Sequence, residues 1–214
     1  MLDFLERPAV GDPAGMLILH HGRGTDERDL LPLGDALDPQ RRLHVVTPRA
    51  PLRLPGSPGF HWYLVPRVGY PNPATFESAI EQLAALHDLL WERTGVSPER
   101  TVLGGFSMGT VMSYALGLDS PRPRPASILA FSGFLPTVEG WQPDLPARKG
   151  LPVFIAHGQA DPVIDVDFAR RAHDLLERAG LQVTYRESSA GHHLDPADIP
   201  AASEWLTGVL SPPA

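Results

Sequence analysis

A serine stands between two glycines in the segment Gly105-Phe106-Ser107-Met108-Gly109. The pattern Gly-x-Ser-x-Gly is typical of a nucleophile elbow, a sharp turn from strand to helix that exposes a serine hydroxyl. Glycines on both sides of the serine avoid side-chain collisions in such a turn. An apolar strand pattern at residues 101–103 precedes the segment directly, and a helical pattern follows it. This context favours Ser107 as a nucleophile over a Gly-Ser turn that only holds two elements together.

A serine nucleophile needs a base to take its proton, and the base needs an acidic partner, in the chain order serine, acid, histidine for this type of elbow. Asp161 lies in the turn after the buried-strand pattern of residues 152–156. Asp165 and Asp167 are alternatives, but they stand at the start of a helical pattern, where capping explains them. Asp161 is therefore the predicted acid.

Two adjacent histidines, His192 and His193, follow Gly191 in the loop after the last strand pattern. Only one of them can be the base. Neighbouring side chains in an extended loop diverge, so the pair is a poor chelate. Because the chain also has no cysteine and no His-Glu-x-x-His motif, no metal site is expected.

A tetrahedral intermediate on a serine carries an oxyanion, which backbone N–H groups stabilise. Met108, the residue after the serine, is expected to supply one N–H, and Arg23 in the loop after the first strong strand pattern is expected to supply the other. The Arg23 side chain either steers an anionic substrate or is a solvated surface group. The pair His20-His21 closes that strand and is interpreted as structural support near the site.

Short apolar runs alternate with helical patterns along the chain. The predicted strands are residues 16–19, 43–46, 101–103, 128–131, 152–156 and 182–185, and helices are predicted from near Asp26, Pro73, Met108, Asp165 and Asp195. This order implies an α/β fold with a mostly parallel sheet and helices on both faces. The elbow at the end of one of its strands is typical of the α/β-hydrolase fold. We expect residues 1–214 to form a single domain, with no room for a large cap domain.

Residues 49–73 form an irregular stretch that is rich in Pro and Gly and carries Phe60, Trp62 and Tyr63. A stretch this long inside a compact domain is usually functional. Because it follows a parallel strand, its start should emerge at the carboxyl edge of the sheet, where α/β proteins bind ligands. We predict that it forms part of an acyl-binding wall, with Trp62 as the substrate contact. Alternatively, its aromatic residues only anchor the loop.

The composition is typical of one globular domain: 214 residues, 43% hydrophobic and 20% charged. A net charge of −7 provides no basic surface for nucleic acid. The absence of cysteine excludes disulfides and thiolate ligands. The first residues lack the pattern of a secretion signal, and no run reaches the roughly 18 apolar residues of a membrane span. A cytoplasmic location is therefore expected; the oligomeric state stays open, with a homodimer as one option.

Taken together, the motifs resemble the phospholipase/carboxylesterase family of α/β-hydrolases, which includes bacterial carboxylesterases and acyl-protein thioesterases. The resemblance implies that Ser107, Asp161 and His192 form the catalytic triad, because the family's histidine directly follows the glycine. It also implies that Arg23 and Met108 are the oxyanion donors. The segments that carry it span residues 21 to 192 in the family's order: His21-Gly22-Arg23-Gly24, Pro48-Arg49-Ala50-Pro51, Gly105-Phe106-Ser107-Met108-Gly109, His157-Gly158-Gln159-Ala160-Asp161-Pro162-Val163 and Gly191-His192.

Two features depart from the family. The family carries a Trp-Phe-Asp-like segment in the long loop, where this chain has Phe60-His61-Trp62-Tyr63-Leu64, and the second histidine, His193, is unusual.

Because all three triad positions are filled, we expect hydrolysis of a small-molecule carboxylic ester, or of a thioester, through an acyl-serine and without a cofactor. Lysophospholipids, lactones and peptides stay open as substrates because the fold hosts many acyl-transfer chemistries. A catalytically silent binding protein is the third hypothesis.

Overall fold

The computed structural model describes residues 1–119 and 121–211. The strands in these ranges are β1 (Phe4–Arg7), β2 (Gly15–His20), β3 (Leu43–Pro48), β4 (Leu52–Arg53), β5 (Phe60–His61), β6 (Thr101–Phe106), β7 (Ser127–Phe131), β8 (Pro152–Gly158) and β9 (Gln182–Ser188). Seven of them form one sheet in the order β1-β3-β2-β6-β7-β8-β9. Only β1 is antiparallel to its neighbour in this sheet. The mostly parallel sheet predicted from the sequence is confirmed.

The helices are α1 (Leu31–Leu37), α2 (Pro73–Thr94), α3 (Met108–Leu118), α4 (Asp167–Arg178) and α5 (Asp198–Leu210). The longest, α2, begins where the sequence indicates: the Asn72 side chain accepts a hydrogen bond from the Thr75 N–H at 3.1 Å, and Pro73 occupies the first turn. It ends at Gly95 in the left-handed conformation, φ 69°.

Helices cover both faces of the sheet, as predicted. In β2, Met16 and Ile18 point into a core shared with α2 and α3, whereas Leu17 and Leu19 point into a core shared with α1 and α5. Helix α4 packs on the same face as α3, in a third cluster with β7 and β8. Because the central strands are buried on both faces, they read in the sequence as continuous apolar runs.

Apart from shifts of two or three residues at the starts of α4 and α5, the fold differs from the sequence predictions in three places. Strand β1 was not predicted. Helix α1 begins at Leu31 and not near Asp26, because the Asp26 carboxylate accepts the Arg28 N–H at 2.9 Å and so supports a turn. The irregular stretch 49–73 contains a short antiparallel hairpin, β4 with β5. No separate cap domain is found among the described residues, and none of their helices is long and apolar enough to cross a membrane.

Candidate active site

Ser107 lies at the turn between β6 and α3, with φ 55° and ψ −119°. A non-glycine residue rarely adopts a positive φ, and such strain persists only where the surrounding structure imposes it. Here the Ser107 N–H donates to the Phe131 carbonyl at 2.9 Å, which ties the turn to the neighbouring strand β7. The strand, turn and helix predicted around the serine are thus present, in the strained form of a nucleophile elbow.

The two glycines of the elbow are required by packing. A Cβ added to Gly105 would lie 2.4 Å from the carbonyl carbon of Gly109, and one added to Gly109 would lie 1.8 Å from the carbonyl oxygen of His20. Helix α3 therefore begins in direct contact with the ends of β6 and β2. This contact places the serine beside the loop that follows β2.

One continuous chain of hydrogen bonds links the three predicted triad residues. The Ser107 hydroxyl oxygen lies 2.9 Å from Nε2 of His192, and Nδ1 of His192 lies 2.7 Å from Oδ2 of Asp161. A carboxylate only accepts hydrogen bonds, so the proton belongs on Nδ1, which leaves Nε2 free to accept from the serine. This tautomer is the one a general base requires.

Asp161 is held in the turn after β8. Its Oδ1 accepts the N–H groups of Val163 at 2.8 Å and Ile164 at 2.9 Å. Burial alone would raise the pKa of Asp161, but the hydrogen bonds from His192 and from these two backbone N–H groups outweigh it and lower the pKa. The side chain is therefore a charged acceptor at neutral pH.

The alternative carboxylates lie at the start of α4, but neither caps the helix as expected, because the N-cap residue is Val166 and no side chain caps this end. Asp165 accepts the Asp167 N–H at 2.8 Å, and Asp167 pairs with Arg170 at 3.0 Å. The side chain of the second histidine, His193, is exposed, and the backbone N–H of His193 donates to the Gly191 carbonyl at 3.0 Å. Of the two adjacent histidines, His192 is the one that meets Ser107.

Sequence reasoning missed His157, which is 2% exposed behind the acid. Its Nε2–H donates to the Ile164 carbonyl at 2.8 Å and lies 3.4 Å from Oδ2 of Asp161. The ring thus supports the turn that holds the carboxylate. The spacing His-Gly-x-x-Asp at the end of β8 is the signal that could have identified it.

The two predicted oxyanion donors flank Ser107. Met108 is the first residue of α3, so its N–H has no acceptor within the helix. Gly22 and Arg23, in the loop after β2, line the same cavity as Ser107 and Met108. The Arg23 side chain is exposed at this cavity.

The cavity above Ser107 has a volume of about 340 Å³. Its wall is mainly apolar, and the long loop supplies part of it. The side chains that form the apolar wall are Tyr63, Val65, Val68, Pro71, Phe106, Met108, Phe134, Val163 and Ile164. Such a site suits an apolar group placed beside a few polar ones.

Trp62 is not on this wall. Its side chain is fully buried, does not line the cavity, and donates its indole N–H to the His21 carbonyl at 2.8 Å. The expected direct contact between Trp62 and substrate therefore has no support in the structure, whereas Tyr63, the next residue, does line the cavity. Residue type alone could not separate the two, because both are aromatic and both are almost fully buried.

The pair His20-His21 lies beneath the site. Nδ1 of His20 lies 2.8 Å from the Ser113 hydroxyl, and Nε2 of His21 accepts the Ala50 N–H at 3.0 Å. Burial lowers the pKa of both histidines, so both rings are neutral. Among the described residues, no group of three or more His, Cys, Asp or Glu side chains is placed to hold a metal ion.

Comparison with known proteins agrees with this architecture. The profile of the family described as Phospholipase/Carboxylesterase matches residues 8–210. Acyl-protein thioesterase 1 of Yarrowia lipolytica is 31% identical over 186 residues, which cover 79% of this chain and 81% of that protein. Acyl-protein thioesterase 1 of Neurospora crassa is 32% identical over 130 residues, 58% of this chain, and the match spans about half (53%) of that relative's length. The crystal structure of esterase PE8 is 29% identical, with a TM-score of 0.83 over 97% of this chain and 99% of that one.

Proposed function

The chain belongs to the phospholipase/carboxylesterase family of α/β-hydrolases, and we propose that it hydrolyses carboxylic esters and thioesters through an acyl-enzyme on Ser107. The observation that carries the proposal is the hydrogen-bonded chain from Ser107 through His192 to Asp161, which opens into a largely apolar cavity. Relatives named as thioesterases and a similar structure named as an esterase support the same substrate class.

The first half-reaction forms the acyl-enzyme. The Ser107 oxygen attacks the substrate carbonyl carbon while Nε2 of His192 takes the hydroxyl proton, and the carbonyl π electrons move to oxygen. The oxyanion is stabilised by the N–H groups of Met108 and Arg23. When the tetrahedral intermediate collapses, the bond to the leaving oxygen or sulfur breaks, and the leaving group departs with the proton from Nε2. Asp161 stabilises the imidazolium that forms between these two proton transfers.

The second half-reaction reverses the roles with water. His192 takes a proton from a water molecule, the resulting hydroxide adds to the acyl carbon, and the bond to Ser107 breaks as the serine oxygen recovers its proton. The products are a carboxylic acid and free enzyme. No electron transfer is involved, so the proposed chemistry requires no cofactor.

The apolar wall is proposed to hold the acyl chain. A volume of about 340 Å³ lies near the lower end of small-molecule sites, which run from about 300 to 1,000 Å³. Because the same space must also admit part of the leaving group, short and medium acyl chains are the proposed substrates. A panel of p-nitrophenyl esters and acyl thioesters of graded length, with a lysophospholipid beside them, tests this choice.

A fluorophosphonate probe tests the proposed mechanism, because only an activated serine reacts with it quickly. We expect stoichiometric labelling of the native protein, with the label on the peptide that contains Ser107, and no labelling of Ser107→Ala or of heat-denatured protein. The matched control is Ser203→Ala. In the parent, the Ser203 hydroxyl on α5 donates to the Leu37 carbonyl and does not line the cavity. Native protein that stays unlabelled and turns over none of the panel would favour the silent binding protein. A cytoplasmic location and a homodimer stay predictions, which cell fractionation and light scattering test.

A further inference from the structure

Trp62 contacts both segments that carry the proposed oxyanion donors. Its indole N–H donates to the carbonyl of His21, which directly precedes the loop of Gly22 and Arg23. Its backbone N–H points at the sulfur of Met108 at 3.3 Å, and Met108 also supplies the second proposed donor. One residue of the long loop therefore connects the loop after β2 with the first turn of α3.

The rings around Trp62 fix it further. The indole meets His20 edge-on, with ring centroids 5.7 Å apart, and is tilted against His21 at 5.2 Å. His21 is itself held at both nitrogens, because Nδ1 donates to the Gly22 carbonyl at 2.7 Å and Nε2 accepts the Ala50 N–H. The neutral ring that burial imposes on His21 is the form that can make both bonds.

The indole N–H is well placed to determine how the loop is oriented. A peptide carbonyl and the N–H of the following residue belong to one rigid plane, so fixing the His21 oxygen also fixes the orientation of the Gly22 N–H. The Arg23 N–H lies one peptide further along. Without the indole donor, the buried His21 carbonyl would lose its partner, and the loop could rotate toward another donor.

We propose that Trp62 is a positioning residue that sets the geometry of the Arg23 N–H relative to that of Met108, and that it does not contact the substrate. The inference rests on the proposed function, because those donors matter only where an oxyanion forms. The oxyanion is present in the transition state and absent from the bound ester. Misplaced donors should therefore lower kcat and leave KM nearly unchanged.

The test is Trp62→Phe, which keeps an aromatic ring and removes the indole donor. We expect kcat to fall about 10- to 100-fold, less than the roughly 10²- to 10³-fold loss of a whole oxyanion donor. KM should stay within about twofold. A trifluoromethyl ketone with a matched alkyl chain forms a tetrahedral adduct with the serine, and its affinity should fall by about the same factor as kcat. The ratios of kcat/KM across acyl-chain lengths should not change.

Trp91→Phe is the matched control. In the parent, the Trp91 indole donates to the Thr101 hydroxyl at 2.9 Å, so this variant also loses one indole donor. Trp91 lies on α2 and does not line the cavity. This variant should lose stability to a similar extent while its kcat and its ketone affinity stay at the parent's values. Circular dichroism and urea unfolding establish that both variants are folded. If Trp62→Phe does not fold, site-specific β-(3-benzothienyl)alanine at position 62 removes the same donor and keeps the ring shape.

The possible outcomes separate the two proposals. A Trp62 variant with parental kcat and ketone affinity overturns the positioning role and leaves the serine hydrolase proposal intact. A change in chain-length preference overturns it too, because that result means that Trp62 touches the acyl chain. A parent protein that neither turns over esters nor reacts with fluorophosphonate overturns the proposed function, and the role of Trp62 falls with it.

Discussion

The carbonyl oxygen of His20 lies so close to Gly109 that a methyl group on Gly109 would meet it at 1.8 Å. The end of β2, which leads into the loop of Arg23, is therefore packed directly on the first turn of α3. Both elements that supply the proposed oxyanion donors meet at this contact. The second glycine of the Gly-x-Ser-x-Gly motif is explained by close approach of the backbone, not by a special φ.

Gly109→Ala should force β2 and α3 apart. We expect a loss of about 2 kcal/mol or more in the free energy of unfolding, because backbone atoms cannot yield as a flexible side chain can. Ester turnover should fall at least 100-fold as the donors separate. Urea unfolding and steady-state kinetics measure the two effects.

Gly208→Ala provides the control for this substitution. Gly208 lies in α5, and nothing comes within 4 Å of an added Cβ. Alanine there should stabilise the protein by up to about 1 kcal/mol through helix propensity, with unchanged turnover. Parental stability and turnover in Gly109→Ala would show that the close contact does not constrain the elbow.

His192→Ala and His193→Ala should differ widely in effect. Removing His192 leaves Ser107 without a base, so kcat should fall by several orders of magnitude. Removing the exposed His193 should change kcat less than about threefold. The test is to measure kcat of both variants on the same ester. A larger loss of kcat in His193→Ala than in His192→Ala would mean that His193 is the base.

Activity should be lost in acid, because a protonated base cannot accept the serine proton. Asp161 contributes less to this loss, since hydrogen bonds lower its pKa and keep it charged. Measurements of kcat/KM across the pH range test this, and activity that persists undiminished in acid would contradict a proton-accepting base.

Asp161→Asn should keep the fold and lower kcat about 10⁴-fold, because an amide can present a donor to Nδ1 and favour the wrong tautomer. Asp165→Asn is the matched control, because the Asp165 side chain only accepts the Asp167 N–H before α4 and an asparagine oxygen can accept the same bond, so both kcat and the free energy of unfolding should stay near the parent's values. Comparable kcat values for the two variants would remove Asp161 from the triad.

The free energy of unfolding should decrease as the pH is lowered, because two histidines are buried. His20 and His87 stack with centroids 5.6 Å apart, and each has an Nε2 without a partner among the described residues. Burial lowers the pKa of His87 to about 3, with a smaller effect of Arg122, and burial lowers that of His20 well below its usual value. Below about pH 6.5 the unfolded chain binds these protons and the folded chain does not, so each histidine costs up to about 1.4 kcal/mol per pH unit.

His87→Phe should flatten the dependence of unfolding free energy on pH between about 6 and 4. Urea titrations at several pH values give the slope. Leu86→Ala, at the neighbouring buried position of α2, removes no titratable group; it should lower stability at every pH and leave the slope as it is in the parent. An unchanged slope in His87→Phe would mean that the His87 ring is not buried neutral.

The sequence predicted the parts of the fold that are buried on both sides. Strands β2, β7 and β8 are almost entirely apolar, so their local sequence is sufficient to predict them. The elbow could be predicted in the same way, because it lies where a strand pattern meets a helical pattern. Strand β1 was missed because the Phe4–Arg7 segment is a partly exposed edge strand, ordered by pairing with the distant strand β3, in which Phe4 lies opposite Pro48 and Arg7 opposite Val45. Such pairing leaves no local pattern.

The site divides in the same way. Ser107, Asp161 and His192 stand in turns at strand ends, so their types and order predicted that they would meet. The position of Trp62 could not be predicted, because only the fold brings its indole to the His21 carbonyl. His157 was overlooked for a similar reason: its role depends on a carbonyl and a carboxylate that the turn after β8 folds back over it.

The most direct test of the account is to trap the acyl-enzyme. Protein mixed with a p-nitrophenyl ester and quenched in acid within one turnover should carry the mass of the acyl group, and digestion should place that mass on the peptide containing Ser107. His192→Ala should accumulate little of the adduct, and Ser107→Ala none. An acyl group on another residue, or ester turnover by Ser107→Ala within about tenfold of the parent, would contradict the assignment of Ser107 as the nucleophile.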